Sequence, residues 1–184
     1  MATIFQTLDV TNEMYNLLKW LKNNVSTDKM RESWTGIHIK NNGTVFEATD
    51  GFKLVVAKLN QPLHAELPDG IWQPVTITKK SIALIKIDDV TFPDISVILT
   101  DYDKPITDAQ TFISINPTFL CSAINGFDQV DINLITNDRP IQIVLRSNNM
   151  PSGTYVATVM PIRSDHTFKH IQSDIKFVKE VNNG

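Results

Sequence analysis

The groups with which this chain could do covalent chemistry are few: four histidines, one cysteine and twenty acidic side chains in 184 residues. Among the histidines, His38, His64, His166 and His170, only the last two stand close together. At positions i and i+4 they could share one face of a helix, as the zinc-holding imidazoles of metalloproteases do, but no glutamate lies between them to serve as base. No glycine-rich phosphate loop, no nucleophile elbow and no carboxylate pair at a spacing suited to acid–base work occurs. Cys121 borders an apolar stripe with helical spacing and is expected to be packed rather than reactive. The chain is therefore expected to be no enzyme and to need no cofactor or metal.

Composition narrows the class further. Hydrophobic residues make up 42% and charged residues 20%, ordinary values for a globular protein with one or two cores. A formal net charge of -3 argues against a surface that coats nucleic acid, because phosphate neutralisation needs clustered lysine and arginine. One cysteine cannot form an internal disulfide, and no apolar run approaches the roughly 18 residues of a membrane span, so a cytoplasmic protein with no membrane contact is expected.

The elements follow from periodicity. Residues 3–10 predict a strand, stopped at Thr11-Asn12, where a side-chain oxygen can cap a helix. Met14, Leu17, Leu18 and Leu21 then form an apolar stripe of period 3.6, which predicts a helix of about three to four turns. Two strands, 37–40 and 44–48, are joined by an Asn41-Asn42-Gly43 turn, and a third covers 52–59 after Asp50-Gly51. The second half repeats the plan: a strand at 111–115, a helix opened by Asn116-Pro117, and strands at 130–135, 141–145 and 155–160. Between the halves, 72–77 reads as a strand, and Thr78 is expected to cap a short amphipathic helix over 79–87. The expected organisation is a first βαβββ unit at 1–70, a middle strand, short helix and linker at 71–105, a second βαβββ unit at 106–163 and an extension at 164–184.

Three short segments punctuate this plan: Ala48-Thr49-Asp50-Gly51-Phe52-Lys53-Leu54, Phe92-Pro93-Asp94 and Met160-Pro161-Ile162-Arg163. Each has an ordinary structural use. An Asp-Gly turn leads into a strand, a proline stiffens a linker, and methionine fills gaps in a core. In this order, on a duplicated βαβββ plan, they resemble the sliding clamp of bacterial replication, the beta subunit of DNA polymerase III.

That resemblance implies an α+β DNA-clamp fold, with antiparallel sheets outside and helices lining the inner face. It further implies that the three segments converge into a hydrophobic peptide pocket. The candidate pocket residues are Thr49, Gly51, Phe52, Lys53, Leu54, Pro93, Ile98, Thr158, Met160, Pro161, Ile162 and Arg163, with Phe52-Lys53 standing where many relatives have His-Arg. Candidate contacts to double-stranded DNA, made without sequence preference, are Lys19, Lys22, Lys79, Lys80 and Lys86. The implied function is that of a processivity factor. It would encircle duplex DNA as a homo-oligomeric ring, be placed there by a clamp loader and tether polymerase and other peptide-bearing partners. The alternative is a clamp-derived adaptor or decoy that keeps the pocket and never encircles DNA.

Overall fold

The computed structural model describes residues 3–65, 67–95, 115–133 and 140–161. Its frame is one antiparallel sheet. Strands β1 (Ile4–Thr7), β2 (Ile37–Lys40), β3 (Val45–Thr49), β4 (Lys53–Leu59), β5 (Gly70–Ile77), β6 (Ile82–Ile87), β7 (Gln129–Asn133), β8 (Ile141–Arg146) and β9 (Gly153–Val159) lie in the order β1-β6-β5-β2-β3-β4-β9-β8-β7. Helices α1 (Asn12–Lys22) and α2 (Pro117–Ile124) pack on one face of this sheet.

The two halves meet strand to strand. β2, β3 and β4 form one meander, β7, β8 and β9 form another, and their last strands pair from Lys53↔Val159 to Leu59↔Gly153. Val56↔Val156 sits midway along that ladder, so the two meanders are related by an approximate two-fold axis through this pair. Each meander is preceded by its own helix, which is the expected duplication. The expected strand at 111–115 lies outside the described residues except for Ile115, and the extension at 164–184 lies outside them entirely.

Local chemistry accounts for the element ends. The Thr11 side chain accepts from the Met14 amide at 3.1 Å, and the Asn116 side chain accepts from Thr118 at 2.9 Å ahead of Pro117. Asn41, Asn42 and Gly43 all have positive φ, the left-handed conformation that Asn and Gly tolerate at tight turns. Met14, Leu17, Leu18 and Leu21 are buried against Ile39, Phe46, Val55, Ala57, Ile143 and Ala157. Each such side chain contributes about 1.5–3 kcal/mol by leaving water.

Two expectations need correction. Residues 82–87 form strand β6, not a helix: Ile82 and Leu84 alternate into the helix-side core, β5 pairs along one edge and β1 along the other. Thr78 caps a hairpin turn instead, its hydroxyl oxygen accepting from Lys80 and Ser81 amides. Cys121 is exposed, because α2 directs Phe119, Leu120, Ala123 and Ile124 at the core.

Candidate functional site

Strand alternation assigns the candidates on β3, β4 and β9 to a face. Val55, Ala57, Tyr155, Ala157 and Val159 point to the helices, so Leu54 and Thr158, directly opposite each other on β4 and β9, point to the opposite face, which is helix-free among the described residues. Thr49 faces Leu54 across the β3–β4 ladder and lies on that same side. Beyond the last ladder pair the Met160 amide donates to the Phe52 carbonyl at 2.9 Å, which holds Met160 beside this patch with 43% of its surface exposed. Pro161 follows it, half-buried.

The linker reaches the same face. Leu54 shares a compact apolar cluster with Ile71, Phe92 and Ile95, flanked by Val56, Ile87 and Val90. Pro93 lies between Phe92 and Ile95, and Phe92 stacks on the His38 ring with centroids 4.7 Å apart. His38 is in turn held by Glu47, whose Oε2 lies 2.9 Å from His38 Nδ1 while Oε1 accepts from Lys40. Burial pushes the Glu47 carboxyl up, but the hydrogen bonds and charges of His38 and Lys40 outweigh it and hold the group below its ordinary range.

The loop before β4 is fixed by its own side chains. Asp50 Oδ1 accepts from the Phe52 and Lys53 amides, and the Thr49 hydroxyl donates to the Lys53 carbonyl at 2.8 Å. Gly51 has a φ of +92°, and a side chain there would meet the Trp34 ring, itself covered by the Arg31 guanidinium at 4.6 Å. Phe52 and Lys53 do not join the helix-free patch. Phe52 stacks on Phe119 of α2 at 5.3 Å, and Lys53 Nζ donates to Asp50 Oδ2 at 2.8 Å and to the Asn23 carbonyl just past α1.

Segments distant in sequence are thus adjacent on the helix-free face: Thr49 and Leu54, the linker around Pro93, and Thr158 with Met160. Ile98, Ile162 and Arg163 lie outside the described residues.

The candidate cations distribute differently. Lys19 and Lys22 are exposed on α1, and Lys79 and Lys80 on the β5–β6 turn. Lys19 and Lys79 converge on one ring, with Nζ atoms 5.3 and 5.9 Å from the Tyr15 centroid. Sequence reasoning missed Tyr15; its place four residues before Lys19 on a helix was the available signal, whereas the approach of Lys79 is tertiary. Lys86 stands apart, half-buried opposite Trp72 near the far end of β6. α2 carries no cation at all. Among the described residues no group of three or more His, Cys, Asp or Glu side chains could hold a metal ion, and no helix is long and apolar enough to cross a membrane.

No protein-family model and no curated protein matches this chain. Solved structures do match. The DNA polymerase III beta subunit of Thermotoga maritima superposes with a TM-score of 0.54 at 14% identity, covering 88% of this chain and 65% of that one. A DNA polymerase sliding clamp of Pseudomonas aeruginosa, solved with a ligand, gives 0.59 at 15% identity, covering 88% and 66%. The beta clamp of H. pylori in complex with diflunisal gives 0.59 at 11% identity, covering 89% and 67%. The chain thus spans about two thirds of the length of the clamps it matches. Identities this low speak for architecture alone: the chain has the α+β fold of the bacterial DNA sliding clamps.

Proposed function

We propose that this chain is a DNA sliding clamp, a processivity factor without chemistry of its own. It would hold polymerase on duplex DNA by topological linkage. The observation that supports this most is the two-sidedness of the sheet. The patch of Leu54, Thr158, Met160 and the Pro93 linker occupies the helix-free face, and the Tyr15–Lys19–Lys79 cluster occupies the helix face. On this reading the helix face meets DNA phosphates inside a ring of copies joined edge to edge. The other face takes short apolar peptides from polymerase and further replication partners, and a clamp loader opens the ring in the cytoplasm. Ile98, Ile162 and Arg163 would complete the peptide groove.

The adaptor or decoy reading has one observation in its favour. Among the described residues, the exposed candidate lysines on the helix face come from α1 and the β5–β6 turn, with none on α2, so a lumen built from these copies would be unevenly charged. Size-exclusion chromatography with light scattering separates the two readings. A closed oligomer is expected for the clamp, and a monomer at high concentration would leave only the adaptor. The groove itself is tested with a fluorescein-labelled Gln-Leu-Ala-Leu-Phe peptide. Binding is expected to weaken at least about tenfold in Met160→Ala, whose exposed side chain can be truncated without disturbing the core. No binding to the unaltered protein would defeat both readings.

A further inference from the structure

Two like charges from separate elements meet at one ring. Tyr15 is half-buried on α1, while the core is filled by Met14, Leu17, Leu18 and Leu21 of the same helix. Lys19, one turn further along α1, holds its ammonium 5.3 Å from the Tyr15 centroid. Lys79 approaches from the β5–β6 turn to 5.9 Å, on a backbone that the Thr78 hydroxyl fixes by accepting from the Lys80 and Ser81 amides. The ion pairs among the described residues use Arg31, His38, Lys40, Lys53 and Arg146, which leaves the charges of Lys19 and Lys79 unneutralised there. A solvated lysine has many rotamers and avoids a second cation, so two of them gathered at one place need a cause. The negative face of the Tyr15 ring supplies it.

We propose that Tyr15 is a positioning residue for duplex binding, whose ring gathers Lys19 and Lys79 into one ordered pair of charges that meets phosphates as a unit. This rests on the reading of the helix face as the DNA side, and adds to it how the cations of that face are organised. Ordering the lysines before contact lowers the entropy lost on binding, while the number of phosphates neutralised stays as it is. Removing the ring therefore weakens binding at every salt concentration and leaves the salt slope alone, whereas removing a lysine lowers the slope.

The experiment follows the anisotropy of a short fluorescein-labelled duplex across a potassium chloride series for the unaltered protein, Tyr15→Leu, Tyr15→Phe and Lys79→Ala, each also unfolded in urea. Tyr15→Leu is expected to bind about fivefold more weakly, with the salt slope and the urea midpoint unchanged. Tyr15→Phe keeps the ring without its hydroxyl and is expected to bind as the unaltered protein does. Proton NMR without DNA gives a second readout: the ring current should shift the ε-methylenes of both lysines upfield, and Tyr15→Leu should abolish that shift. Equal or tighter binding by Tyr15→Leu overturns the proposal while leaving the DNA side standing, provided Lys79→Ala lowers the slope. Equal losses in Tyr15→Phe and Tyr15→Leu also overturn it, since the hydroxyl would then be the contact. So does a loss of stability that accompanies the loss of binding, since the ring would then serve the fold. Absence of duplex binding by the unaltered protein removes the DNA reading of this face and this proposal with it.

Discussion

Glu47 shows how a single ionisable side chain can organise the helix-free face. Its carboxylate is almost fully buried in β3, receives His38 and Lys40 from β2, and through His38 supports the ring on which the linker's Phe92 stacks. Its folded-state pKa lies below the ordinary 4.5, so the stability it contributes is complete above that value and is lost as pH falls through the folded pKa beneath it. Glu47→Gln should therefore unfold about 1–3 kcal/mol more easily near neutral pH, with the gap to the unaltered protein closing below about pH 4.5 in urea titrations. The strand alternation of His38 was legible in the sequence, but its pairing with Glu47 was not, since it depends on the hairpin register that places residue 38 opposite 47. The same limit explains Phe52 and Lys53. They precede Leu54 in a recognisable segment, yet strand alternation turns Lys53 to the helix side with Val55, and Phe52 stacks there on Phe119 of another element.

At the scale of elements, β6 is the instructive departure. Residues 82–85, Ile-Ala-Leu-Ile, form an apolar run too short for periodicity to separate strand from helix. The decision falls to the edges that β1 and β5 offer on either side, which no local window contains. α1 was fully legible because cap and stripe agree within eleven residues. α2 is marked as clearly at its start, but eight residues are too few to hold a helix without tertiary support. Trp20 supplies that support: its indole Nε1–H donates to the Ala123 carbonyl at 2.8 Å, and its ring meets Phe127 edge-on at 5.0 Å. Trp20→Phe keeps an aromatic in place and removes the donor, leaving a buried carbonyl unpaired. A loss of about 1–2 kcal/mol is expected, with hydrogen exchange accelerating first at the amides of residues 118–124.

For the whole molecule, the duplicated meanders joined at Val56↔Val156 give one sheet with two different faces, and the clamp reading assigns each face a different partner. That division makes separable demands on mutations. Non-specific duplex binding through phosphates weakens with salt in proportion to the number of contacts, by a log–log slope of about 0.9 per phosphate neutralised. Lys19 and Lys79 converge on Tyr15 and so form one cluster on the helix face. Lys19→Ala and Lys79→Ala should each lower the salt slope for duplex by about one, equally for any sequence, and leave peptide capture intact. Met160→Ala should do the reverse, weakening capture at least about tenfold with the salt slope unchanged. A lysine substitution that weakens peptide binding, or a Met160 substitution that alters the salt slope, would mean that the two faces do not act independently, and the assignment of DNA to one and peptide to the other would fail.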